Sequence, residues 1–102
     1  MYEKINIRQL KYWIDTQKND IRVIDLRSAG EYGEGHIPGS INIPFTEIGG
    51  VQDIIKDMNM KIFLYCQSGK HSKSARYVLL YLGYEHVWDI GGLERWPYKL
   101  VK

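Results

Sequence analysis

The apolar residues of this chain change their period several times from one end to the other, and that alternation limits the folds open to it. Residues 21–26 (IRVIDL) and 61–65 (KIFLY) are short, nearly continuous apolar runs rich in β-branched and aromatic side chains. Such runs suit strands covered on both faces. Around them the spacing becomes helical. Asn6 stands where a helix cap belongs, with Gln9 three positions later in capping-box register. Ile7, Leu10, Trp13 and Ile14 then share one helical face. Residues 28–39 read as a short helical turn followed by a Gly-rich loop ending in Pro-Gly. Residues 40–43 read as another short strand, stopped by Pro44. A second helical pattern in residues 45–58 is weakened by Gly49-Gly50, and its better half aligns Val51, Ile54, Ile55 and Met58. The clearest helix is 72–82, with Ala75, Val78, Leu79 and Leu82 as its inner stripe and Gly83 at the C-cap. Residues 86–90 (HVWDI) read as a last strand, and Gly91-Gly92 turns the chain into a short helix around 93–96, ended by Pro97. Strands alternating with helices imply an α/β fold, a parallel sheet with helices on both faces.

At 102 residues the chain has room for one hydrophobic core, so 1–102 is expected to form a single domain. A composition 44% hydrophobic and 25% charged excludes intrinsic disorder. No apolar run approaches the ~18 residues of a membrane span. The opening MYEKINIRQLKYW carries charges where a signal peptide would be apolar, so the cytoplasm is the expected location. Fourteen Lys and Arg against twelve Asp and Glu leave +2, too small an excess for a nucleic-acid footprint. Neither a membrane nor a nucleic acid is an expected partner, and the chain is expected to be a monomer. His86 has no His or carboxylate at metal spacing, so no metal site is expected.

Cys66 is the only cysteine, which excludes an internal disulfide, a Cys-x-x-Cys pair and a cysteine zinc cluster. A free cysteine is ordinarily a small buried hydrophobe. This one stands at the C-terminal end of an apolar strand, and ligands of parallel sheets bind beyond such ends. After it, Gln67, Ser68, Gly69, Lys70, His71 and Ser72 form a loop leading into the helix. A loop between a strand end and a helix can turn successive N–H groups inward, making a concavity for anions. A thiolate at its mouth is stabilised, and Lys70, Lys73 and a protonated His71 act in the same sense. Gly69 permits a backbone conformation or close approach denied to other residues. Ser68 and Ser72 offer hydroxyl donors, and Ser72 stands where it can also cap the helix. Taken singly, each has a plainer explanation: solvated lysines, an ordinary turn glycine, a packing cysteine. Asp25 and Arg27 at a strand end suit an ion pair or loop clamp as well as catalysis. His36 suits capping or packing, and Glu31 and Glu34 suit solvated or paired surface positions.

Three motifs together resemble the rhodanese-like domain family. The first is Val23-Ile24-Asp25-Leu26-Arg27, Glu31-Tyr32 and the run from Gly35-His36-Ile37-Pro38-Gly39 through Ser40-Ile41-Asn42-Ile43-Pro44. The second is Tyr65-Cys66-Gln67-Ser68-Gly69 with Ser72, which resembles the family's active-site loop. The third is Gly83-Tyr84, Val87 and Gly91-Gly92-Leu93-x-x-Trp96. The resemblance runs from about residue 5 to residue 97, and it implies a five-stranded parallel sheet. It also implies a thiosulfate sulfurtransferase in which Cys66 is the nucleophile and Gln67, Ser68, Gly69, Lys70, His71 and Ser72 bind the substrate. In that chemistry Cys66 takes the outer sulfur of thiosulfate or of a persulfide donor, becoming a persulfide. A small thiol, cyanide or a protein cysteine then removes it, in two steps that need no cofactor. Asp25, Arg27 and His36 would hold neighbouring loops rather than react.

The loop separates this resemblance from related phosphatases, which resemble Cys-x5-Arg. Here Ser72 stands six positions after the cysteine, and the next arginine is Arg76, within the helix. The two-pronged arginine contact to phosphate is therefore missing. Many single-domain sulfurtransferases carry Arg five positions after the cysteine, where this chain has His71. Histidine cannot grip a sulfonate at two points, so weak thiosulfate binding is expected, with a protein or low-molecular-weight persulfide as an alternative donor. A noncatalytic rhodanese-like interaction module, an oxyanion enzyme of phosphatase or arsenate reductase type, and a thiol redox sensor remain as alternatives.

Overall fold

The computed structural model describes residues 5–102. Its first helix, α1 (Ile7–Asp15), begins where Asn6 accepts a hydrogen bond from the Gln9 N–H. Then follow β1 (Ile21–Asp25), α2 (Ala29–Glu34) and β2 (Ile41–Asn42). A 3-10 turn over Phe45–Gly50 leads into the single-turn α3 (Val51–Ile54). The chain continues through β3 (Lys61–Cys66), α4 (Lys70–Leu82), β4 (His86–Gly92) and a last 3-10 turn over Leu93–Arg95.

All strand pairs are parallel, in the order β2-β1-β3-β4. The sheet of the described residues thus has four strands, not the five implied by the family resemblance. The sequence itself supplies four strand-like runs among these residues, and each becomes one strand. The expected fifth has no counterpart in the described segments.

Strand alternation divides the core between the two faces of the sheet. Ile62, Leu64 and Cys66 of β3 join Ala75 and Leu79 of α4, with Ile48, Val51 and Ile55, on one side. Phe63 and Tyr65 point the other way, against Leu10, Ile37, Ile90 and Trp96. Helices therefore cover both faces, as the period changes predict. Period two also decides which face Cys66 occupies: it lies on the α4 side, while its neighbour Tyr65 lies on the α1 side.

Two local expectations are corrected. The helical stripe at 51–58 does not persist, because α3 ends after one turn and Ile55 is already extended. Ile55 consequently turns inward while Ile54 is 56% exposed. Ser72 does not cap α4. The cap position falls to Gly69, in a left-handed conformation at φ 91°, and Ser72 is buried within the first turn. The expected C-cap at Gly83 is present, also left-handed at φ 111°.

Candidate active site

A parallel sheet brings the C-terminal ends of its strands to one edge, and there the loops converge. Leu26, Arg27 and Ser28 follow β1, and Glu31 lies in α2. Pro44, Phe45 and Thr46 follow β2, Cys66 ends β3, and Gln67, Ser68 and His71 come after it. Together these residues line a cavity of about 580 Å³. Cys66 is 3% exposed, so its small residual surface opens on this cavity from below.

The loop after β3 closes around the sulfur. The Gly69 N–H donates to Cys66 Sγ at 3.0 Å. The thiol lies 3.7 Å from Ser72 Oγ, whose hydroxyl donates to the Gly69 carbonyl at 3.1 Å. Ser72 thus acts from beneath the loop, as a hydroxyl shared between the sulfur and the backbone that encloses it. The Lys70 N–H turns toward Ser68 Oγ at 3.4 Å instead of toward the sulfur.

The left-handed Gly69 has a second reason to lack a side chain. A Cβ there would stand 3.1 Å from the Gly92 nitrogen and 3.3 Å from the Gly91 carbonyl carbon. The catalytic-loop candidate is therefore backed by the end of β4. Ser68 bridges to Gly92, and the Leu93 N–H donates to the Gln67 carbonyl at 3.3 Å. Beside this contact β3 and β4 slip register, Leu64 facing Asp89 but Tyr65 facing Gly91. The slip is a bulge with Gly91 at φ 98°, held by the Asp89 carboxylate accepting the Gly91 N–H at 2.8 Å.

Of the residues expected from sequence to be nucleophile or substrate-binding, Cys66, Gln67, Ser68 and His71 line the cavity. Gly69 and Ser72 meet the sulfur from the protein side, and the Lys70 side chain is outside the cavity lining. His71 lies flat on Phe45, ring centroids 4.4 Å apart and planes 1° apart. The one basic side chain that the segment after β3 brings to the cavity wall is thus His71.

Asp25 and Arg27 form a buried pair with their contact at 2.8 Å. The Arg27 amide and guanidinium both donate to the Asp25 carboxylate, and Nη2 also donates to the Gly35 carbonyl at 2.6 Å. Burial opposes the Arg27 charge, but the adjoining carboxylate outweighs it and holds the proton more firmly than in an ordinary arginine. Tyr65 completes the clamp. Its hydroxyl donates to Asp25 at 2.8 Å and accepts from the Ile37 N–H at 3.1 Å, with Ser40 Oγ 3.0 Å away. Burial pushes the Tyr65 phenol well above the usual tyrosine value. His36 holds Tyr32, by ring stacking and by Nδ1 against the Tyr32 carbonyl at 2.8 Å. These residues fix neighbouring loops, and Arg27 also lines the cavity.

Leu26, Ser28, Glu31, Pro44, Phe45 and Thr46 also line the cavity, with no such place expected from the sequence. Most leave no signal beyond lying just after a strand. Ser28-x-x-Glu31 did leave one: it has capping-box spacing, and the box forms, with the Glu31 N–H donating to Ser28 Oγ at 3.2 Å.

Thiosulfate sulfurtransferase PspE of Escherichia coli strain K12 is 36% identical over 72 residues, covering 70% of this chain and 69% of that protein. Thiosulfate sulfurtransferase GlpE of Coxiella burnetii is 29% identical over 97 residues, covering 94% of this chain and 88% of that one. A solved rhodanese with anions from E. coli has a TM-score of 0.75 at 34% identity, over 80% of this chain and 98% of its own. The profile of the rhodanese-like domain matches residues 7–98, nearly the whole length, and the chain belongs to that family.

Proposed function

We propose that this chain is a rhodanese-type sulfurtransferase, which moves sulfane sulfur from thiosulfate or a persulfide donor to a thiophilic acceptor through a Cys66 persulfide. The observation that carries the reading is the sulfur at a cavity floor with the Gly69 N–H aimed at it from 3.0 Å. Relatives named thiosulfate sulfurtransferase, at 29% and 36% identity, support the same chemistry.

In the first step the Cys66 thiolate attacks the outer sulfur of thiosulfate. A new S–S bond forms, the old one breaks, and sulfite leaves with its electron pair. In the second, cyanide or a thiolate attacks the terminal sulfur of the persulfide and carries it away, and the Cys66 thiolate returns. The Gly69 N–H stabilises negative charge on Sγ, and the Ser72 hydroxyl can turn its proton from the Gly69 carbonyl toward the sulfur. Gln67, Ser68 and His71 face the bound donor, and the Lys70 charge acts from outside the cavity. One thiol completes the cycle, with ping-pong kinetics. Against the phosphatase alternative, the position of the phosphate-gripping arginine holds Ser72, which is fully buried under the loop.

Intact-mass analysis after exposure to thiosulfate tests the proposal. The wild type should gain about 32 Da, one sulfur atom, and Cys66→Ala should gain nothing. A wild-type protein that stays at its starting mass with thiosulfate and with an organic persulfide would refute it.

A further inference from the structure

The cavity above Cys66 is larger and differently charged than a small inorganic dianion requires. Its volume of about 580 Å³ lies within the ~300–1,000 Å³ of pockets that enclose organic ligands. Leu26, Pro44 and Phe45 give it an apolar wall. Its charged side chains are Arg27 and Glu31, and they are not equivalent. Arg27 is already matched by Asp25 behind it. Glu31 has no cationic partner among the described residues. Its Oε1 accepts from the Ser28 N–H at 3.2 Å and the Ser28 hydroxyl at 3.0 Å, and Oε2 accepts from no described residue. The capping box fixes this carboxylate in place, so it is an oriented carboxylate in the wall that forms no ion pair with a described residue.

The geometry points to Glu31 as a specificity-determining residue that selects aminothiols, thiols bearing an ammonium group, as acceptors of the Cys66 sulfur. This rests on the persulfide reading above. The acceptor's ammonium group donates to Glu31 Oε2 while its sulfur reaches the cavity floor. Its thiolate attacks the terminal sulfur of the Cys66 persulfide. The acceptor S–S bond forms as the Cys66 Sγ–S bond breaks, the electron pair stays on Sγ, and the proton of the acceptor thiol goes to water. The product is the aminothiol persulfide. The same carboxylate repels thiosulfate, which adds to the weak binding expected from His71.

Glu31→Gln tests this without removing the cap, because glutamine serves in a capping box. Protein loaded with thiosulfate is discharged by cysteamine or by 3-mercaptopropionate, and kcat/KM is compared between wild type and variant for each thiol. Comparing each thiol with itself cancels differences in intrinsic reactivity. The substitution should lower the cysteamine value about tenfold, the size of one lost charge-assisted hydrogen bond, and raise the 3-mercaptopropionate value. In the wild type, added salt should slow cysteamine and speed 3-mercaptopropionate. Equal changes for both thiols on substitution, or salt slopes of the same or reversed sign, overturn the role of Glu31 and leave the persulfide chemistry standing. A wild-type protein that never gains sulfur overturns both.

Discussion

His71 lies at the cavity wall with its ring against Phe45, and that stack decides what a substitution there would do. An arginine can keep the contact, since guanidinium planes stack on aromatic faces, and it brings a permanent charge with a forked donor set. His71→Arg should therefore lower the KM for thiosulfate by up to about fivefold, the upper end for a solvated ion pair, while kcat changes little. Steady-state kinetics with thiosulfate and cyanide measure both quantities. Unchanged thiosulfate kinetics would mean that the anion does not approach the fifth position after the cysteine.

Among the elements, β4 and the loop after β3 depend on each other most closely. At Gly92 a Cβ would meet the Gln67 carbonyl oxygen at 2.8 Å and Glu94 Oε1 at 2.7 Å. Glu94 can swing away, but the Gln67 carbonyl is backbone, so Gly92→Ala must displace the loop itself. We expect a cost of about 1–3 kcal/mol in denaturant unfolding. Persulfide loading should slow by at least about tenfold, as the Gly69 N–H loses its alignment with Sγ. Normal loading in a destabilised Gly92→Ala would show that the loop adjusts freely. This coupling explains why the site was only partly legible in the sequence. The apolar run of β3 and the Ser-Gly loop after it are enough to place Cys66 at the strand end where the cavity lies, because strand period and burial are local properties. The conformational freedom needed at Gly69 is legible locally, but its contact with Gly92 joins residues far apart in the chain. The same limit explains α3: the spacing of Val51, Ile54, Ile55 and Met58 is helical, yet the Gly49-Gly50 signal proved the better guide, and the inward turn of Ile55 is fixed by tertiary packing against the α4 side of the core.

At the scale of the molecule, the two faces of the sheet have different tasks. The α4 side carries the sulfur, and the α1 side carries the clamp that joins β1, β3 and the segment before β2. Tyr65 is the hub of that clamp, through Asp25, Ile37 and Ser40, and it is buried. Because burial raises its phenol pKa above the unfolded value, the folded protein keeps a proton that the unfolded chain releases above about pH 10. The stabilisation from the neutral phenol is complete below that pH and is lost as pH rises toward the raised folded value. Tyr65→Phe should cost about 1–3 kcal/mol at neutral pH, since the Asp25 carboxylate loses a donor and the Ile37 N–H loses an acceptor. Above about pH 10 the gap between the two proteins should close, because only the wild type has this proton to lose. Denaturant unfolding across that range, with tyrosinate absorbance recorded in parallel, measures the effect. Tyr84, whose phenol is also raised by burial, is present in both proteins and cancels from the comparison. A constant gap through the alkaline range would locate the proton elsewhere, and the clamp would then contribute through its hydrogen bonds alone.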